Sequence, residues 1–247
     1  MAFSTNLPPT HTESIAMVLL SDLVAELEPA INSVGDRMTK GVEEMYCFHA
    51  ARYINKAVDG FVVLRQNHRV DSAKLLVRPA LETMLRLKAV QAQPPLFYRI
   101  MFTDALEDDQ WLHALERHQG LPHQSFRDNP EWIAFKARCK AQFGAANIID
   151  RRLELREVAE VVGLGAYRES HYKTYCKFTH GAFRALAGDL DEAVDPQDSP
   201  TMILCAMSAL QALADIGAHC PNIQSLNARV MELTNRKPDP LIRQQPS

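Results

Sequence analysis

Several things are missing from this sequence, and each absence removes a class of protein. No alternating, β-branched run bounded by turn residues occurs, so no sheet is expected. The five cysteines, Cys47, Cys139, Cys176, Cys205 and Cys220, stand alone without a C-x-x-C pair. That argues against a disulfide framework and a structural zinc site, and for reduced thiols of a cytoplasmic protein. No apolar run approaches the ~20 residues that span a bilayer. The longest candidate, MILCAMSALQALADIGA, is interrupted by polar residues. The opening MAFSTNLPPTHTES has neither a basic nor an apolar leader region, so no signal peptide is expected. Charge of one sign is also missing: 27 Lys and Arg stand against 30 Asp and Glu, a net charge of −3. This excludes broad nucleic-acid binding through a basic face but leaves room for a local basic site. G-x-S-x-G, H-E-x-x-H and Glu-x-x-His pairs do not occur, and the GLG at 163–165 lacks the strand–turn–helix setting of a nucleotide loop. No metal or cofactor is expected.

What the sequence does contain is helix, almost throughout. Ile15, Val18, Leu19, Leu23, Leu27, Ala30, Ile31 and Val34 recur at helical spacing over 13–34, with Pro29 set to kink the last turn or split it off. A second stripe runs over 41–66. A third helix, AKLLVRPALETMLRLKAVQ, is apolar nearly all round and belongs at the centre of a bundle. Asp71 or Ser72 can cap it, and Pro94 and Pro95 stop it. A fourth helix is expected over 96–118. After the loop HQGLPHQSFRDNP, Asn129 and Pro130 read as N-cap and first helical residue of a helix that fades near Gly144. Helices over 151–162 and 170–186 follow. AGDLDEAVDPQDSP reads as a loop, with Ser199 and Pro200 repeating the cap-and-proline signal before a helix that runs to Gly217. A last helix covers 222–235. The expectation is an all-α, single-domain bundle of roughly seven to nine helices over 13–236, between flexible stretches 1–12 and 237–247.

Polar residues interrupt these apolar faces at a few positions. Arg78 and Glu82 are four apart on the third helix, between Leu75 and Leu85, and Pro79 sits between them. Unpaired buried charge is costly, so the two should bond each other or neighbouring helices. Such a pair is either a structural ion pair at a kink or an anion-binding arginine steered by its glutamate. His180, in HYKTYCKFTHG, borders an apolar stripe, with Cys176 one turn before it, Phe183 after it, and Tyr172 and Tyr175 nearby. Gly181 allows close approach of a helix or a ligand. Buried polar groups need partners. His180 is therefore expected to face Arg78 or Glu82, with Tyr175 bonded into the same cluster. His49 has a similar setting beside Tyr46, Arg52 and Tyr53. Asp109, His113 and Glu116 have the spacing of metal ligands, a pattern that surface helices also produce.

Two segments together resemble a family. LLVRPALETMLRLKAV is similar to the R-x-x-x-E helix of an uncharacterised bacterial all-helical family. VAEVVGLGAYRESHYKTYCKFTHG is similar to its later signature of a Gly-Leu turn, tyrosines and a histidine. Where that family often has serine shortly before the histidine, this chain has Cys176 or Thr179. The family's helical pattern is similar to HEPN domains, which are often dimeric and often act as metal-independent ribonucleases in defence and toxin systems. Their hallmark is R-x(4–6)-H on one helix; Arg168, on the expected histidine-bearing segment, precedes histidines at 171 and 180, neither at that spacing, so Arg78 would have to serve from another helix.

Two functions from different classes therefore stay open. In one, Arg78, Glu82, Tyr175 and His180 form a catalytic or nucleotide-binding site for RNA. An unperturbed histidine titrates near pH ~6.5 and can move a proton from a ribose 2′-hydroxyl, and the arginine holds the phosphate. In the other, the same residues are a buried polar network in a non-catalytic interaction or scaffold protein. In either case the aliphatic helices offer a surface for a homo-oligomer, and no membrane partner is expected.

Overall fold

A computed structural model describes residues 11–35, 41–120, 124–172, 175 and 197–235. All regular structure in these residues is helical. The elements are α1 (His11–Gly35), α2 (Val42–Gln66), α3 (Val70–Ala92), α4 (Leu96–Gln119), α5 (Pro130–Phe143), α6 (Leu155–Val161), α7 (Gly165–Tyr167), α8 (Asp198–Asp215) and α9 (Ile223–Asn235). A π-helical stretch, Arg168–Tyr172, continues directly from α7. The stretches 1–12 and 237–247 fall almost wholly outside the described residues, although His11 and Thr12 already belong to α1.

The core is the four-helix packing of α1, α2, α3 and α8, with α6 laid on α3 and α9 on α1 and α8. Leu19, Leu20, Leu23, Leu27, Ala30 and Val34 face it from α1. Ile54, Val58 and Phe61 do so from α2, and Met202, Cys205, Ala206, Ala209 and Leu213 from α8. Val18, counted in the α1 stripe from sequence, faces solvent. Pro29 sits on an exposed side of α1, which runs through it without a break to Gly35. Where α2 meets α3 the backbones come close: a methyl group on Gly60 would lie 3.0 Å from Leu76 Cδ1.

Two expected caps are placed differently. Helix α3 begins at Val70, with Arg69 at its N-cap and no side chain closing it. Asp71 lies inside the first turn, where its charge suits the helix dipole. Helix α8 begins at Asp198, with Gln197 at the N-cap. The Ser199 hydroxyl is not a cap because it donates to Glu13 Oε1 (2.9 Å). The same oxygen accepts from Arg65 Nη2 (2.6 Å). One carboxylate thus joins α1, α2 and α8, with the Glu13 and Arg65 side chains only 11% and 6% exposed. Asn129 behaves as expected and accepts from the Glu131 amide (2.8 Å) ahead of Pro130. Gly120, at φ 68°, supplies the left-handed turn that ends α4.

An aromatic layer holds α4 and α5 together. Tyr98, Phe102, Phe126, Trp132 and Phe135 stack or meet edge to face, with ring centroids 4.9–6.3 Å apart. The chain then returns to the bundle through a segment tied to α4. Arg99, itself buried, donates to the carbonyls of Arg151 (3.4 Å) and Arg152 (3.0 Å) and to Glu157 (3.0 Å). The Leu153 amide donates to Thr103 Oγ1 (2.8 Å). Tyr98 donates to Asp150 (2.6 Å), which also accepts from Lys136. These ties set where α6 begins, and so where the functional segment lies.

Two outcomes test these contacts. Arg65→Ala removes the charged partner from the buried Glu13 carboxylate, and should cost about 3–5 kcal/mol, read as a lowered urea midpoint. The second concerns Asp150. Burial pushes its carboxyl up, but the hydrogen bonds from Lys136 and Tyr98 and the Lys136 charge outweigh this and hold it below the usual range. Its contribution is therefore complete above the unfolded carboxylate pKa of ~3.9 and is lost as pH falls below it. The stability gap between wild type and Asp150→Asn should accordingly shrink between pH ~5 and ~3.

Candidate functional site

Helix α3 has a partly open stripe beyond its first turn. Leu75, Arg78, Pro79, Glu82 and Arg86 fall three to four residues apart along it, while Val77, Leu81, Met84, Leu85 and Leu87 are fully buried. Leu75 is 47% exposed, so of the two leucines that bracket the charged pair only Leu85 is in the core. Arg86 donates to Asp104 on α4 (3.0 Å). Burial holds the Asp104 carboxyl above its ordinary range, against the pull of Arg86.

Arg78 and Glu82 bond each other as their spacing implies, Arg78 Nε donating to Glu82 Oε1 (2.8 Å). Their side chains are 19% and 27% exposed, so the pair is sheltered but not sealed. Pro79 lies inside the helix between them, and its carbonyl accepts from Thr83 Oγ1 (2.8 Å). The tyrosine that reaches this pair is Tyr172. Its hydroxyl accepts from Arg78 Nη2 (3.1 Å) and donates to Glu82 Oε1 (2.8 Å). The Arg78 guanidinium also lies over the Tyr172 ring, 5.3 Å from its centroid. Two of the three groups carry full charge, which makes these hydrogen bonds stronger than neutral ones.

Tyr175, three residues on, is buried, and its hydroxyl lies 3.4 Å from Thr201 Oγ1 on α8. Tyr167 makes a closer contact with the same oxygen (2.6 Å). The segment 165–175 therefore serves two helices: Tyr172 reaches α3, while Tyr167 and Tyr175 reach α8. The π-helical stretch lies within it. A π turn holds an extra residue and changes which side chains share a face; such turns are frequent at functional sites. His180 lies outside the described residues, as do Cys176, Thr179, Gly181 and Phe183.

Arg168 opens the π-helical stretch, with its guanidinium 5.4 Å from the Tyr172 ring centroid. Tyr172 thus has two arginines about it, Arg78 from α3 and Arg168 from its own helix. Arg168 also lines a cleft of about 340 Å³ shared with Arg156, Glu160, Gly165 and Glu169.

The remaining candidates lie on α2 and α4. His49 is exposed and stands edge-on to Phe48, with ring centroids 5.3 Å apart. Asp109 accepts from the Phe126 amide (3.1 Å), and His113 contacts Glu116 (3.1 Å) on the exposed end of α4. Among the described residues no group of three or more His, Cys, Asp or Glu could hold a metal ion, and no helix is long and apolar enough to cross a membrane.

The stretch running from α2 through the charged pair, the tyrosines and His180 to the start of α8 matches one family of unknown function, DUF5677, over residues 44–198. The chain belongs to DUF5677. No curated protein and no solved structure matches the chain. The DUF5677 region holds Arg78, Glu82, Arg168, Tyr172, Tyr175 and His180, whereas α1 and all of α8 after Asp198 lie outside it. Two members of the DUF5677 cluster, Tyr172 and Arg168, were not singled out from sequence as site residues. Their four-residue spacing was the available signal, since it sets both on one helical face.

Removing the bridging hydroxyl tests the geometry. Tyr172→Phe should lower stability by about 1–2 kcal/mol. A double-mutant cycle with Glu82→Gln should show coupling, because the two groups share one bond.

Proposed function

We propose that this protein binds RNA or a nucleotide through the Arg78–Glu82–Tyr172 cluster and acts on phosphodiester bonds as a metal-independent ribonuclease. The observation that carries this reading is the placement of Arg78: a charged, part-exposed guanidinium held by Glu82 and Tyr172. A purely structural ion pair needs no opening to solvent. A phosphate-binding arginine needs both an opening and a carboxylate to orient it.

In this reading Glu82 and Tyr172 fix the guanidinium plane, and Arg78 binds the non-bridging oxygens of the scissile phosphate and stabilises their growing charge. His180 takes the proton from the ribose 2′-hydroxyl, whose oxygen attacks the adjacent phosphorus. The bond to the 5′-oxygen breaks, and His180 returns the proton to that oxygen. The products are a 2′,3′-cyclic phosphate and a free 5′-hydroxyl. Tyr175, part of the same segment, supports it from the α8 side. The similarity to HEPN domains supports this chemistry, a homo-oligomeric state and a place in a bacterial defence or toxin system.

The test is incubation of the purified protein with mixed RNA in the presence of a chelator. Wild type should yield fragments ending in 2′,3′-cyclic phosphate. Arg78→Ala and His180→Ala should each lose roughly a hundredfold or more in rate, with the melting temperature of His180→Ala kept. Intact RNA with wild type, or equal rates for wild type and both variants, would sink the proposal. A large fall in melting temperature in His180→Ala with no activity to lose would mark the histidine as structural.

A further inference from the structure

Arg168 carries an unpaid polar group. Its Nε is buried and has no hydrogen-bond partner among the described residues, although Nη1 donates to Glu169 (2.5 Å). A buried donor left unsatisfied is costly, and such groups in native structures commonly await an ion, a water or a ligand. The Arg168 side chain is 19% exposed and lines the cleft of about 340 Å³. A second arginine, Arg156, lines the same cleft.

Both arginines are already held, but weakly. Arg156 donates to Glu160 (2.9 Å), and these side chains are 74% and 58% exposed. Glu169, the partner of Arg168, is 48% exposed. The Arg156–Glu160 pair, exposed on both sides, contributes little and exchanges readily, and the Arg168–Glu169 pair is open on its carboxylate side. A ligand entering the cleft must displace two carboxylates and then sit near them. A singly charged phosphodiester or carboxylate gains little from that exchange. A phosphate monoester, with close to two negative charges above pH ~6, gains more, and its oxygens suit the planar forks of two arginines.

We infer that the cleft between α6 and α7 binds a terminal phosphate monoester, held by Arg156 and Arg168. This rests on the RNA reading above and narrows it: the ligand is an RNA strand or nucleotide with a phosphorylated end. The end group is anchored in the cleft and the linkage to be acted on lies at Arg78. The Tyr172 ring, flanked by Arg78 and Arg168, joins the two positions.

The experiment measures binding rather than cleavage. A short single-stranded RNA, 2′-O-methylated so that it cannot be cut, is prepared with a bare end, a 5′-phosphate or a 3′-phosphate. Wild type should bind one phosphorylated form about tenfold more tightly than the bare strand, a difference of ~1.4 kcal/mol. The preference should grow as pH rises through ~6, where the monoester takes its second charge. Arg168→Ala and Arg156→Ala should each erase the preference, and Arg156→Ala should leave affinity for the bare strand within about twofold. Arg156 is largely exposed, so its replacement carries little risk to folding. Binding of all three strands with equal affinity overturns the inference and leaves the Arg78 reading standing. If no strand binds, the RNA reading fails, and the cleft is judged by inorganic phosphate and pyrophosphate alone. A rise in melting temperature with either, absent in Arg156→Ala, supports an anion site; no rise overturns it.

Discussion

Helix α3 has almost no face to give to water, and the rest of the architecture follows from that constraint. Val77, Ala80, Leu81, Met84, Leu85 and Leu87 are fully buried, and α2, α6 and α8 all pack against the helix. Burying a mostly apolar helix on several sides is strongly favourable, but the polar groups along it must then find partners or what opening remains. Arg78, Glu82 and Arg86 lie there, and each finds a partner within it or on the next element: Glu82, Tyr172 or Asp104. The candidate site is the part of the central helix that the packing leaves uncovered.

Two polar anchors make that arrangement hold. Glu13 gathers Arg65 and Ser199 onto a single oxygen and so fixes α1, α2 and α8 around α3. Arg99 and Thr103 fasten the chain between α5 and α6 to α4. The second anchor bears on function, because it decides where α6 and the tyrosine segment return to the bundle.

Much of this was legible in the sequence where the cause is local. Apolar residues recurring at helical spacing located the long helices among the described residues, and Asn129–Pro130 marked the start of α5. The Arg78–Glu82 bond was readable because four residues along a helix is one turn. The start of α8 was not, because the Ser199 hydroxyl is claimed by Glu13, 186 residues away, and no local rule sees that demand. Tyr172 was hidden for a related reason. Its place beside Arg78 depends on the path from Asp150 to Leu164, set by Arg99 and Thr103 contacts distant in sequence. The π turn then decides which tyrosine faces which helix.

That π turn also bears on how the segment tolerates changes in length. An α-helix advances about 100° per residue, so one residue more or less swings everything beyond it to another face. Here the extra residue of the π turn stands between α7 and Tyr175. It lets Tyr167 and Tyr175 meet Thr201 on α8 while Tyr172 meets Glu82 on α3. A chain shortened by one residue within 168–172 could relax to an ordinary α-helix and remain folded. It would then keep its tyrosines aligned with one neighbour and lose the other, so the bundle would survive the deletion and the junction between α3 and α8 would not.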